Sequence, residues 1–332
     1  MDTRGWNAMI FADSITRRTV LHFISTGAII MATSQTTPAH AASSASFAVT
    51  TPIHIASVSM RVRDLGLMTA YYRDVIGLDL ISGDLSQSVL GKDGLVLLTL
   101  IARPADSPDD KISAGLYHTA FLMPSRQALG EWLITVARNG IKFTGFADHL
   151  VSEATYLDDP EGNGIEVYAD RSPVSWKWNN GSVQMATEEL DIDGLVRDQP
   201  QDRTLPYVAP SGLRIGHVHL RVGDVAKAED FYIGTAGLER MASVGGSATF
   251  LANGHYHHHI GANVWQSRNA GPRKDTMSGL ENLAFSTALP LMDGLRSRLK
   301  ASGADFHEQG DVVEALDPWG TRVRFIPTSS SG

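Results

Sequence analysis

The side chains in this sequence best suited to chemistry are histidines and carboxylates carried on short alternating segments. Asp148 to Arg171 reads as a β-hairpin around the turn Asp159-Pro-Glu-Gly-Asn-Gly164, since proline fixes its own φ and glycine or asparagine accepts positive φ. On the strand after the turn, Ile165 and Val167 point to one face while Glu166 and Tyr168 point to the other. His149 and Tyr156 precede the turn, so one hairpin delivers an imidazole, a phenol and a carboxylate to a single concave surface. Elsewhere, alternation turns Val218, Leu220 and Val222 toward a helix and leaves His217 and His219 on the opposite face. His118 holds the equivalent position of another strand. Two neutral imidazoles and one carboxylate on rigid strands, with further coordination positions open, suit non-haem Fe(II), and the usable set is His118, Glu166 and His217. A lone strand histidine is more often a hydrogen-bonded core residue, and a hairpin glutamate by itself equally well faces water. The equivalence of the three positions is what singles them out. Further along, His255-Tyr-His257-His258-His259-Ile-Gly-Ala reads as a strand with His257 and His259 on one face and His258 on the other. That reading puts His259 where an acid or base reaches a substrate.

The elements that must position these residues recur at a long period. Ser57-Val-Ser-Met-Arg-Val-Arg-Asp-Leu…Gly77-Leu matches His217-Val-His-Leu-Arg-Val-Gly-Asp-Val…Gly237-Leu, and Tyr117-His-Thr-Ala-Phe…Asp159-Pro-Glu-Gly matches Glu281-Asn-Leu-Ala-Phe…Asp317-Pro-Trp-Gly. Each module reads as strand, helix and three strands, with Asp64 and Asp224 as N-caps and Gly77 and Gly237 as C-caps. The order is A-B-A-B. A single module cannot bury both its helix and its sheet, so modules pack in pairs around shared cups, an α+β architecture of four βαβββ modules forming two cup-shaped half-barrels. The expected divisions are a signal segment over 1–41, a linker over 42–51, a first unit over 52–175, a second linker over 176–212 and a second unit over 213–328. Modules one and four offer only Ser57, Asn282 and Arg324 at the ligand positions. For one ion to take His118, Glu166 and His217, module two must therefore pair with module three, and one with four.

Length and composition fit a globular protein of 332 residues with a formal charge of −8 and no cysteine. No basic block lies outside the N-terminus, which excludes an electrostatic nucleic-acid footprint. Thr16-Arg-Arg-Thr-Val-Leu21, the apolar stretch from Val20 to Thr33 and Ala39-His-Ala41 form a twin-arginine export signal with its cleavage site, predicting a periplasmic or secreted protein with no membrane span once it is removed. Homo-oligomerisation is left open.

The stretch His149…Tyr156…Pro160-x-Gly162…Glu166 resembles the extradiol ring-cleavage dioxygenase signature, and the four-module plan over Ile53 to Pro327 is similar to the vicinal oxygen chelate superfamily, to which glyoxalases also belong. Ile215-Gly-His217 and Tyr117-His118 resemble its metal histidines, and Asn253…His258-His259-Ile-Gly-Ala its active-site histidine strand. The resemblance is to the two-domain bacterial catechol 2,3-dioxygenase group. It implies Fe(II), with Mn(II) as the alternative, on His118, Glu166 and His217, and a small aromatic diol and O2 as substrates. It also implies His259 as proton shuttle, and Tyr156 and His149 as donors to substrate oxygens. Two other readings keep the fold: a glyoxalase-like lyase or isomerase at the same ligands, and a metal-free protein that sequesters an aromatic or antibiotic.

Overall fold

A computed structural model describes residues 45–329; the export signal expected over 1–41 lies outside them. The first module runs β1 (Ile53–Val62), α1 (Leu65–Tyr71, continued by a π turn to Ile76), β2 (Asp79–Gly83), β3 (Gln87–Lys92) and β4 (Leu95–Ala102). The second is β5 (Gly115–Leu122), α2 (Arg126–Arg138), β6 (Gly145–Asp148), β7 (Ser152–Asp158) and β8 (Gly164–Asp170). After the small hairpin β9 (Trp178–Asn179) and β10 (Ser182–Val183) and the short helix α3 (Ile192–Val196) comes the third: β11 (Arg214–Arg221), α4 (Val225–Tyr232), β12 (Glu239–Val244), β13 (Ala248–Ala252) and β14 (Ile260–Asn263). The fourth is β15 (Gly279–Ala288), α5 (Met292–Ser302), β16 (Phe306–Gln309), β17 (Val312–Leu316) and β18 (Arg322–Thr328).

The helix starts follow from local chemistry. Asp64, Ser125 and Asp224 each accept a hydrogen bond from a backbone N–H three residues on, satisfying a donor that the first helical turn leaves free. Gly77 ends its helix at φ 88°, a left-handed conformation that costs a glycine little; α4 instead ends at Tyr232 with Ile233 as its cap, and Gly237, expected as the cap, lies beyond the turn that follows, also at φ 88°.

Two eight-stranded sheets result, in the orders β12-β13-β14-β11-β5-β8-β7-β6 and β16-β17-β18-β15-β1-β4-β3-β2. Each sheet takes one module from each half of the sequence, so the halves 52–175 and 213–328 exchange modules: two pairs with three, and one with four. The antiparallel seam β11·β5 sets His217 opposite Ala120 and His219 opposite His118. The parallel pair β5·β8 then sets Ala120 beside Glu166. Leucine, valine and phenylalanine side chains on the outer faces form one continuous core with the helices, while Ala120, Leu122, Ala154, Tyr168, Trp176 and Tyr256 form a smaller cluster inside the cup of modules two and three.

Both stretches expected as linkers are packed. Phe47–Val49 is a 3-10 turn, with Ala48 fully buried and the Phe47 ring against Trp176 and Tyr256. Residues 187–193 run along a cavity wall before entering α3, which packs on α2.

Candidate metal centre

β5, β8 and β11 bring His118, Glu166 and His217 together; one ligand atom from each lies within 4.8 Å of the others, and all three residues are buried. His118 Nε2 stands 3.0 Å and His217 Nε2 3.2 Å from the same oxygen, Glu166 Oε2. Donors about 2.1 Å from a shared ion and about 90° apart sit about 3.0 Å from one another, so the two distances to Glu166 Oε2 are compatible with a shared ion. The 3.0 Å contact of His118 Nε2 with Glu166 is not aligned as a hydrogen bond, which leaves a buried nitrogen that a cation would satisfy. Burial by itself raises the Glu166 carboxyl, but His217 and His118 outweigh it and hold the group well below the usual carboxylate range. Burial pushes His217 down to about 4, against the opposing pull of Glu166. A neutral His217 imidazole beside an ionised Glu166 carboxylate matches the protonation states that metal binding requires. The donor set therefore fits a divalent transition ion.

Backbone crowding shows why glycines flank the ligands. A Cβ on Gly164 would meet the Tyr117 carbonyl at 2.2 Å, and one on Gly216 would meet the Tyr168 hydroxyl at 1.8 Å. Bare backbone at these two positions lets β8 and β11 close on their neighbours beside His118 and His217.

The other candidates divide. Tyr156 lies on β7 directly opposite Glu166, and its hydroxyl is 2.7 Å from His149 Nε2. His149 Nδ1 lies 2.7 Å from the Ala186 carbonyl, which can only accept, so Nδ1 carries the proton and Nε2 accepts from Tyr156. His149 thus works behind Tyr156 and is not turned to the triad itself. Burial, then the nearby Glu166 charge, raises the Tyr156 phenol well above its ordinary range; it stays protonated.

The triple histidine differs from its expected geometry. β13 ends at Ala252 and β14 begins only at Ile260. Between them Gly254 and His255 adopt positive φ, 70° and 62°, so strand alternation does not apply to His257, His258 and His259. His259, expected to face the substrate, instead turns its Nε2 to the Ala48 carbonyl at 2.9 Å and the Thr51 hydroxyl at 3.3 Å. His258, expected on the opposite face, packs against His217 with ring centroids 4.0 Å apart and the planes tilted by 46°. His257 bonds Asp170 through Nε2 at 2.9 Å and His258 Nδ1 through its own Nδ1 at 2.7 Å. The carboxylate draws the His257 proton to Nε2, so in the neutral ring Nδ1 accepts from His258 Nδ1–H, and His258 keeps a lone pair on Nε2. Asp170 is missing from the sequence reading, although extending the Glu166, Tyr168 alternation by one step reaches it. Ala48 and Ala186 act through backbone carbonyls, which leave no trace in residue type.

His118 and Tyr156 also line a cavity of about 1140 Å³ that opens between β6, β7, Gln266 and residues 187–193. A sheet curled from two βαβββ modules, with two imidazoles and a carboxylate converging inside it and a cavity that reaches His118, defines a cup of the vicinal oxygen chelate type with a candidate metal site. Residues 54–167 match the profile of the Glyoxalase/Bleomycin resistance protein/Dioxygenase superfamily. Catechol-2,3-dioxygenase of Bacillus subtilis strain 168 is 37% identical over 282 residues, covering 82% of this chain and 97% of that protein. Two solved structures share the fold: a presumed dioxygenase from Bacillus subtilis, with a TM-score of 0.54, 14% identity and coverage of 82% of this chain and 84% of that one, and glyoxalase I from Zea mays, with a TM-score of 0.51, 15% identity and coverage of 83% and 92%. The chain belongs to the glyoxalase/bleomycin resistance protein/dioxygenase superfamily.

Proposed function

We propose that the protein is an extradiol ring-cleaving dioxygenase, an oxidoreductase that holds Fe(II) on His118, Glu166 and His217 and opens a catechol-type ring beside its diol with O2. The observation that carries this reading is the convergence of two imidazoles on one carboxylate oxygen; the likeness to a catechol-2,3-dioxygenase over most of the chain supports it. When bound, the ion supplies Lewis acidity to the diol and holds diol and O2 side by side. His118, Glu166 and His217 would hold the ion through three donors and would leave it room for both substrates.

The surrounding side chains handle protons and orientation. His258, in contact with His217 and with Nε2 free of protein partners, accepts a proton from a diol hydroxyl, and Asp170 and His257 keep it in the accepting tautomer. Tyr156, whose proton is held by His149 Nε2, presents a phenol oxygen that accepts a hydrogen bond from a substrate hydroxyl at the inner end of the cavity. His259 anchors the 45–51 segment. The twin-arginine pattern at Arg17 and Arg18 assigns the protein to export across the inner membrane. Among the described residues no helix is long and apolar enough to cross a membrane.

Anaerobic loading with Fe(II), followed by catechol and then air, tests the reading: stoichiometric iron and a ring-opened chromophore are expected. Iron bound one to one, with no ring opening from any of several catechols and no O2 consumed, would overturn it in favour of lyase or isomerase chemistry on the same ligands.

A further inference from the structure

The cavity that reaches His118 and Tyr156 has a charge pattern that catechol binding alone does not require. His118 is 4% exposed, and its Nε2, free of an aligned hydrogen bond, lies at the inner end, so the cavity is a ligand site on grounds independent of its outer wall. That wall is the segment 187–193, which brings Glu188, Glu189, Asp191 and Asp193 to the lining. Asp191 is occupied as the cap of α3, accepting from Gly194 N at 2.9 Å. Glu188, Glu189 and Asp193 are exposed and, among the described residues, have no ion-pair partner. The two cations on the lining share one carboxylate, Asp109. Arg221 forks onto the Asp109 carboxylate at 2.7 and 2.8 Å, and Lys111 donates to the Gly162 carbonyl and lies 3.5 Å from Asp109. With Asp158 the lining carries five carboxylates against these two cations, so an arriving ligand meets net negative charge in the cavity that His118 lines.

Size points the same way. At about 1140 Å³ the cavity exceeds the roughly 300–1,000 Å³ of pockets that enclose drug-sized ligands, leaving room for a substituent beyond one ring. Resting on the dioxygenase reading, we propose that this protein selects ring diols bearing a cationic, ammonium-type arm: the diol at the triad, and the arm against Glu188, Glu189 and Asp193. Catechols bearing a carboxylate arm are disfavoured by the same field.

Calorimetric titration without O2 tests this independently of turnover. The Fe(II)-loaded protein is titrated with 4-(2-aminoethyl)catechol, with 3,4-dihydroxyphenylacetate and with catechol as the neutral reference. The ammonium compound is expected to bind about 10-fold more tightly than the carboxylate compound at low salt, on the order of a few-fold per carboxylate engaged, with the gap narrowing as salt rises. In the triple variant E188Q/E189Q/D193N the ratio is expected to fall to about 2-fold or less. Equal affinities in the wild-type protein, or a ratio untouched by salt, would overturn the proposal even if the variant fails to fold. Tight, charge-selective binding with no ring opening once air is admitted would count against the dioxygenase reading and leave the charge preference standing.

Discussion

The two curled sheets share a register and differ in what they place on it. In one, His217 lies opposite Ala120, Ala120 beside Glu166, and Glu166 opposite Tyr156. In the other, Ser57 lies opposite Ala284, Ala284 beside Arg324, and Arg324 opposite Glu314. Asn282 holds the position of His118, facing Ser59 as His118 faces His219. The second cup replaces donors with a hydroxyl, an amide and a guanidinium, and satisfies its charges internally: Arg324 lies 3.6 Å from Glu314, and Arg61 and Arg322 both reach Glu281. One backbone therefore supports either a candidate metal site or a network of three arginines on two glutamates.

Glu166→Ala should break the difference outright. With one donor gone, metal retention after gel filtration should fall by at least about 100-fold, whereas Asn282→Ala in the other cup should leave the metal content unchanged. Within the first cup, His258→Gln should keep the ion bound and lower kcat by about 10² to 10⁴-fold, read by steady-state rates on protein of equal iron content. His259→Gln should do the reverse, holding kcat within about 10-fold while costing about 1–3 kcal/mol in thermal unfolding, because the buried Ala48 carbonyl loses its donor. Equal rate losses in the two variants would erase the distinction drawn between them.

His259 also leaves a signature in pH. Burial lowers it from 6.5 to about 3, so below about pH 6.5 the unfolded chain takes up a proton that the folded protein refuses, and stability falls as pH drops from there toward 3. The His259→Gln variant should lose less Tm than the wild type between pH 7 and pH 5. The smallest effect belongs to the second cup. Arg324→Ala removes a partly exposed ion pair and should shift unfolding by less than about 1 kcal/mol, with iron content and turnover intact.

Much of this arrangement is legible in the residues. Period-two alternation places Glu166 and Tyr168 on the concave face, and the incompleteness of the ligand sets at Ser57, Asn282 and Arg324 forces the exchange of modules that the strand order displays. The His257–His259 stretch is not legible by the same rule, because alternation holds only while the chain is extended, and positive φ at Gly254 and His255 turns it before Ile260 begins the strand. Residues 45–51 and 186–193 look like tethers because their composition is polar or small. Their roles come from long-range contacts, Ala48 to His259 and Ala186 to His149, that no local pattern encodes.

Anomalous diffraction at the iron edge, from crystals of the Fe(II)-loaded protein, tests the assignment of the ligands most directly. A single peak about 2.0–2.2 Å from His118 Nε2, His217 Nε2 and a Glu166 oxygen, with none beside Ser57, Asn282 and Arg324, is the predicted result. A peak held instead by the His257–His258–Asp170 group, or iron in both cups, would contradict it.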